Sequence, residues 1–418
     1  MELALSSPAK KWTAAVALLV AGTAYTFVAA RVFVGSLFST SRNLAGLERA
    51  AWFDSGSAEY QNAVGVYQMV QQSPREALPW LESATSLNPN AAIYWLNLAV
   101  DQQLIGNTDG EQSAIEHALV VDPHTPQIAW QAANLLLAKG NTDAAMKQFH
   151  TVLENDPALL SPAIATAWKI RPDADFLLQN VVPDQADPAF LEFLLSVKET
   201  DAAAKVWQKL FAVQQPVERR ELLDYVRYLL LHQDVAQASL VWQQGAAISD
   251  LAPYQSSAEN LLVNGDFSLA ILNGGFDWVH QNVQGVTLAL DPTETHSSSR
   301  SLRISVDGAA ISDAGIAQRV PVEPNRTYEF SAFYKAQDMD GAGSMQFAIH
   351  DAYTGASLFT GDDLKNADFW KKTGGIFTTS AETHLILVHV TRTPAGLPIR
   401  GTLWIDGLQL VEKGKDSE

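Results

Sequence analysis

The chain has 418 residues, enough for two or three domains, and 47% of them are hydrophobic, which supports ordinary cores. It has no cysteine, which excludes thiolate metal sites, disulfide frameworks and cysteine nucleophiles. The net charge is −18; residues 1–42 contain four Lys or Arg and one Glu, or +3, so the rest carries −21. This acidity argues against nucleic acid as a partner, because phosphate binding needs a basic patch.

An uncharged segment lies near the start of the chain. Trp12–Ala30 contains no charged residue, follows Lys10 and Lys11, and continues as an apolar run beyond Arg31. About 20 apolar residues are enough to cross a bilayer. The run therefore predicts a membrane span or a secretory signal.

The two readings of this segment differ in whether it is cleaved. The small residues Ala29 and Ala30 would suit a signal-peptide junction. The length of the run, and Arg31 directly after it, favour an uncleaved signal-anchor over residues 12–38. Residues 1–11 would then be a cytoplasmic tail, because flanking lysines stay inside. This predicts a single-pass protein of the inner (cytoplasmic) membrane, with its C-terminal domains in the periplasm or outside.

A period of 34 residues follows. It is marked by three prolines, and by small residues 24 and 5 positions before each of them. These are Pro89, Pro123 and Pro157, preceded by Gly65, Ala99 and Ala133 and by Ala84, Ala118 and Val152. Two antiparallel helices can approach closely only where side chains are small, and proline ends a helix. The period predicts stacked helical hairpins.

These residues resemble the tetratricopeptide repeat. The repeats would run 58–91, 92–125 and 126–159, with weaker repetition to about residue 250, so that 45–250 forms one helical repeat domain. Trp95, Leu98, Ala99, Ala118 and Pro123 match the pattern of the family, whereas Glu111 replaces an expected small residue.

The resemblance implies a protein-binding groove on the first helix of each pair. Its candidate residues are Asn62, Leu96, Gln103, Trp130 and Asn134. The set is mixed and rather apolar, so a partner segment with apolar anchors is expected. The alternative is that the groove packs on other parts of the same chain.

The composition changes after Pro253, where Gly, Ser and Thr become more frequent. Residues 251–258 are predicted to be a linker and 413–418 a tail. Between them, over 259–412, short runs alternate with period two and are separated by turn residues. Many short strands predict an antiparallel β-sandwich or jelly roll. The fold class is thus an N-terminal transmembrane helix, an α-helical repeat solenoid and a C-terminal β-sandwich.

Several segments of this region, in order, resemble carbohydrate-binding modules of families 4 and 9 and the wider galactose-binding-like jelly rolls. They are Asn260–Phe267 followed by Trp278, Ser301–Ile304, Gln318–Val322, Pro324–Tyr328 and Trp404–Leu410. The resemblance requires no cofactor. It implies a structural calcium ion at Asp266 and Asp406, although Ser268 stands where the family often has a glutamate ligand.

The alternation separates a core side from a polar side. The expected core contains Leu302, Ile304, Val306, Tyr328, Phe330, Phe347, Ile349, Ile386 and Val388. On the polar side an aromatic ring with planar polar groups would suit a sugar. The candidate site is Arg303, Phe333, Gln346 and His350, and the alternative at the rim is Trp278, Tyr353 and Phe359. The competing interpretation is a solvated or covered sheet face.

No catalytic motif is present: neither a nucleophile elbow nor H-E-x-x-H nor a Walker loop occurs. The sequence therefore predicts a non-catalytic, membrane-anchored scaffold of the cell envelope. It would bind a protein through the repeats and a polysaccharide through the jelly roll. The alternative is an accessory subunit, or an undetected enzyme, acting on envelope or extracellular polysaccharide.

Overall fold

The computed structural model describes residues 7–414, in which α-helices are followed by β-strands. The helices are α1 Pro8–Ser39, α2 Leu44–Phe53, α3 Ala58–Val70, α4 Pro74–Leu87, α5 Ala92–Ile105, α6 Thr108–Val121, α7 Pro126–Ala138, α8 Thr142–Asn155, α9 Leu160–Ile170, α10 Ala174–Asn180, α11 Asp187–Ser196, α12 Thr200–Ala212, α13 Arg219–Leu231 and α14 Val235–Ile248. The strands are β1 Val279–His280, β2 Val286–Asp291, β3 Ser301–Ile311, β4 Asp313–Pro321, β5 Thr327–Asp340, β6 Ser344–Asp351, β7 Ser357–Thr360, β8 Ala367–Thr378, β9 Leu385–Thr393 and β10 Leu397–Glu412. The predicted order of helices and then strands is confirmed.

Helix positions follow the 34-residue period. Helices α3, α5 and α7 begin at residues 58, 92 and 126, and their partners α4, α6 and α8 begin at 74, 108 and 142. Each repeated proline lies two residues beyond the end of a second helix. The three pairs pack as hairpins, as expected where proline interrupts a helix at regular intervals.

Small residues lie where the two helices of a pair approach each other. A Cβ on Gly65 would lie 2.6 Å from the Leu81 side chain of its partner helix, and Ala84, Ala99 and Ala118 are fully buried. The exception, Glu111, is also buried, and its carboxylate accepts a hydrogen bond from Gln103 at 3.2 Å. A large side chain is tolerated there because it has a polar partner.

Helix α1 is long and apolar. It could cross a membrane by its length and composition, and a signal sequence would pass the same test. Its C-terminal third contacts α2, where the Arg31 guanidinium donates to the Trp52 carbonyl at 2.8 Å and Phe38 stacks on Phe53. A Cβ on Gly35 would lie 3.4 Å from the Ala50 carbonyl oxygen, so this part of α1 lies close to α2.

The chain divides into two compact units between Phe193 and Leu194. Helices α12–α14 therefore belong to the same unit as the strands. In that unit Trp242 of α14 packs edge-on against Phe276, and its indole N–H donates to the Tyr254 carbonyl at 3.0 Å. In segment 251–258, which was predicted to be a linker, the side chains of Leu251 and Tyr254 are buried.

The strands form two antiparallel five-stranded sheets. Sheet 1 has the order β1-β4-β9-β6-β7 and sheet 2 the order β2-β3-β10-β5-β8. One hydrophobic core lies between them, and all nine residues predicted for the core side are buried in it. The jelly-roll prediction is thus confirmed, and each sheet keeps a second face that points away from the core.

Candidate functional site

The structure does not bring the four predicted sugar-binding residues together. Arg303 and Phe333 lie on β3 and β5 of sheet 2, whereas Gln346 and His350 lie on β6 of sheet 1. All four alternate with core residues, so the two pairs point outward on opposite sides of the sandwich. The predicted set is wrong as a single site. Alternation tells which side chains avoid the core, but not which sheet a strand joins.

The loop of residues 292–300 packs on part of the outer face of sheet 2. The His296 ring stacks on Phe333 with 3.6 Å between ring centroids, and Glu294 pairs with Lys335 at 2.8 Å. Asp291, at the start of this loop, accepts hydrogen bonds from Thr293 and Trp404, which lower its pKa to about 2. Phe333 is therefore packed rather than free to receive a sugar.

Two of the three rim residues are packed as well. Trp278 is 1% exposed, lies against Phe267, and donates its indole N–H to a backbone carbonyl. Phe359 packs on Phe330 in the core cluster. Only Tyr353 keeps an accessible ring, 37% exposed, with its hydroxyl donating to the Leu230 carbonyl at 2.9 Å.

The two aspartates assigned to calcium hold loops instead. Both oxygens of the buried Asp406 carboxylate accept backbone N–H groups, from His296 and Ser297 on one side and from Gly407 on the other. Asp266 accepts from the backbone and hydroxyl of Ser268. Within residues 7–414 no three His, Asp or Glu side chains form a metal-binding group. Because both Asp406 oxygens and one Asp266 oxygen already accept hydrogen bonds, these residues do not fit a calcium ion.

A chain of polar side chains lies on the outer face of sheet 1. The His350 Nδ1 lies 2.8 Å from His389 Nε2, and the His389 Nδ1 lies 2.6 Å from a carboxylate oxygen of Asp313. The order that satisfies both contacts has His389 donating to Asp313 and His350 donating to His389. Burial and the neighbouring His389 lower the pKa of His350. His350 is thus neutral near pH 7 and offers its Nε2 lone pair as an acceptor.

Gln346 continues this polar surface along β6, four residues before His350 on the same face of the strand. Its side-chain amide donates to Asp363 at 2.9 Å and accepts from the Thr393 hydroxyl at 2.9 Å. Hydrogen bonds from Ser344 and Gln346 hold the pKa of Asp363 below its usual range. Fixed planar groups with remaining donors and acceptors are suited to sugar hydroxyls.

Sequence reasoning missed His389 and Asp313. The orientation of His389 was predictable from the alternation in β9. Ile386 and Val388 lie in the core, so His389 must face outward. Its partnership with His350 depends on strand pairing, with Ala348 opposite His389. Asp313 lies before a register irregularity in β4, so alternation along the strand alone does not place it beside His389.

The predicted groove of the helical repeats is partly closed. Leu96 is 0% exposed, so it is a core residue and not a groove residue. The prediction took its position from the repeat pattern, and packing between neighbouring helices covers it. Asn62 accepts a hydrogen bond from Asn97 of the next repeat at 2.8 Å.

The other three groove candidates remain at least partly accessible. Gln103 is held by Glu111, and Trp130 packs edge-on against Phe149 with 5.8 Å between centroids. Asn134 is exposed and donates to the Trp130 carbonyl at 2.8 Å. These contacts lie within one repeat or between adjacent helices of the N-terminal unit.

One family model and several solved structures match parts of this chain. Residues 259–395 match the family 4/9 model described as carbohydrate binding domain. A CBM4 structure aligns with 13% identity over 36% of this chain and 99% of its own, at a TM-score of 0.29. The xylan-binding CBM22-1 domain of Xyn10C from Paenibacillus barcinonensis aligns with 17% identity over 38% and 97%, at 0.26. The crystal structure of MamA aligns with 21% identity over 30% and 77%, at 0.27.

No curated protein matched the chain. The family match covers the strands that form both sheets up to the end of β9, and the buried core of that region is the one predicted from its alternation. Residues 259–395 of this chain are therefore similar to carbohydrate-binding domains of the family 4/9 type.

Proposed function

We propose that the outer face of sheet 1 binds a glycan. The observation that carries this proposal is the fixed polar chain of His350, His389 and Asp313, with Gln346 and Asp363 beside it. The match to a carbohydrate-binding family supports it. The opposite face is less suitable, because the 292–300 loop already occupies the ring of Phe333.

Substitutions on the two faces test which one binds. We expect His350→Ala and Gln346→Ala to weaken binding of the best ligand from a glycan array about tenfold or more, since each removes a side chain that offers hydrogen bonds. Phe333→Ala, the matched control on sheet 2, should lower the melting temperature but keep the affinity. Titration calorimetry on the full chain in detergent measures all three. Loss of binding in Phe333→Ala alone would place the site on sheet 2.

We further propose that the chain is a non-catalytic, membrane-anchored scaffold of the cell envelope. Its tetratricopeptide-like repeats would hold a protein partner near the glycan that the sandwich binds. The regular hairpins of α3–α8 support the repeat assignment. A glycan-active enzyme would need close carboxylates in a cleft, whereas the cavity between α13 and sheet 1 has Asp224 as the single carboxylate of its lining.

Retention of the N-terminal helix is the part of this proposal that is simplest to test. Helix α1 runs without interruption through Ala30 and Arg31, and the residues after this point pack on α2. We therefore expect mass spectrometry of the protein purified from membranes to find the N-terminus before Trp12. A mature N-terminus near Arg31 would show that the segment is a cleaved signal.

A further inference from the structure

A cavity of about 810 Å³ lies within the C-terminal unit, between α13 and one end of sheet 1. One wall is formed by α13 and the other by the turn at residues 273–275, the end of β4 and the start of β9. Tyr353 closes one side through its hydrogen bond to the Leu230 carbonyl. Gly274 packs the turn against Leu223, where an added Cβ would lie 3.4 Å from the leucine side chain. The cavity is thus bounded by fixed contacts.

The cavity is basic although the chain carries −18. Its lining includes Arg219, Arg220, Arg227 and Arg319, against a single carboxylate, Asp224. Asp224 pairs with Arg227 at 2.8 Å and lies 3.9 Å from Arg220, and Arg219 pairs with Asp250 outside the lining. Neither of these two carboxylates pairs with Arg319. A cleft lined by one sign of charge concentrates ligands of the other sign.

Arg319 is the cation best placed to meet a ligand. Its side chain is exposed and forms no hydrogen bond or ion pair with any residue between 7 and 414. Burial raises the pKa of the Tyr353 phenol, and the positive charge of Arg319 partly opposes that rise. An aromatic ring beside an available guanidinium can receive both the C–H face and the acidic group of one sugar.

Arg319, in the lining of the cavity, lies in the same row of sheet 1 as His350 of the proposed glycan face. Arg319 lies opposite Leu387 on β9, and Leu387 lies opposite His350 on β6. Neighbouring strands are about 4.8 Å apart, so Arg319 and His350 stand on the order of 10 Å apart in one row. A single oligosaccharide can therefore reach both places.

We propose that this cavity binds the carboxylate of a uronic acid, so that the ligand of the sandwich is an acidic polysaccharide. This inference rests on the proposed function and adds the class of glycan. The guanidinium fork matches a carboxylate through two parallel hydrogen bonds. The leucines that line the cavity, Leu223, Leu230, Leu231 and Leu385, supply apolar contact for the ring carbons.

Calorimetry with two defined oligosaccharides tests the class of glycan. The full chain in detergent is titrated with hexagalacturonate and with neutral cellohexaose. We expect hexagalacturonate to bind at least about tenfold more tightly at low salt. Its affinity should fall steeply as NaCl is raised to about 0.5 M, because salt screens exposed charges.

Variants and a free anion locate the acidic group. Arg319→Gln should weaken hexagalacturonate binding about tenfold or more. Lys371→Gln, the same change of charge on the exposed edge of sheet 2, should leave it unchanged. Inorganic phosphate should compete only weakly, since it lacks the sugar ring. Phosphate that binds as tightly as hexagalacturonate would reduce the cavity to a simple anion site and overturn the proposal.

The outcomes separate this inference from the proposed function. If cellohexaose or another neutral glycan binds as tightly as hexagalacturonate, or if Arg319→Gln has no effect, the acidic-glycan inference is overturned while glycan binding stands. If no glycan binds in the array or the calorimeter, both fail. Hexagalacturonate selectivity lost in Lys371→Gln but kept in Arg319→Gln would move the acidic site to sheet 2 and overturn the cavity assignment.

Discussion

Replacing Gly275 by alanine is expected to lower the free energy of unfolding of the C-terminal unit by about 3 kcal/mol or more. The residue has φ +62°, and a Cβ there would lie 2.2 Å from the Trp242 ring. The ring cannot move away easily, because its N–H is bound to the Tyr254 carbonyl and its edge contacts Phe276. The turn is held as well, since Asp277 accepts from the Leu272 amide at 2.7 Å.

Gly396→Ala is the matched control for this variant. Gly396 has a similar φ of +73°, but nothing lies within 4 Å of its added Cβ. The alanine variant therefore has the backbone strain of an L-residue at positive φ but no clash. Its free energy of unfolding should fall by only about 1 kcal/mol. Guanidinium denaturation followed by tryptophan fluorescence compares the two variants. Equal losses would mean that the turn does not pack against Trp242 as described.

The same contact bears on the cavity. Gly274 and Gly275 form part of its wall, and Trp242 anchors the turn that carries them. A binding site that is fixed before the ligand arrives loses less conformational entropy on binding. The close approach of backbone to indole at Gly275 is thus a requirement of the fold that also fixes the geometry of the proposed acidic site.

The features that could be predicted from the sequence are those that depend on residues close together in the chain. Helix boundaries in α3–α8 follow from the prolines and small residues at 34-residue spacing, because helix ends depend on neighbours only a few positions away. The core side of the sandwich was likewise predictable, since alternation is a property of each strand alone. Phe330 and Ile349, for example, lie in the core as the alternation of their strands predicts.

What could not be predicted depends on pairing between distant strands. In strand β4 the polar Gln318 interrupts the apolar alternation. Gln318 is fully buried and bonds both the N–H and the carbonyl of Val263, at 3.0 and 2.7 Å, as another strand would. The division of Phe333 and His350 between opposite faces also follows from strand order, which no single strand encodes.

The second large effect on stability is expected in the N-terminal unit, at Ala118. Replacing Ala118 by tryptophan is expected to destabilise the N-terminal unit by several kcal/mol, above the ~1–3 kcal/mol usual for overpacking. Ala118 is 0% exposed on α6, five residues before Pro123, and the repeat pattern keeps this position small. An indole there has no space unless the backbone of the hairpin moves.

Val120→Trp on the same helix separates this clash from a change in helix propensity. Val120 is 82% exposed, so an indole at that position extends into solvent and should change stability by about 0.5 kcal/mol or less. Thermal unfolding followed by helical circular dichroism measures both variants against the unaltered chain. A melting temperature unchanged in Ala118→Trp would mean that the helices do not cross at this residue. We expect Ala118→Trp to lose stability and Val120→Trp to keep it. The 34-residue period marks positions where two helices meet, and Val120 is not one of them.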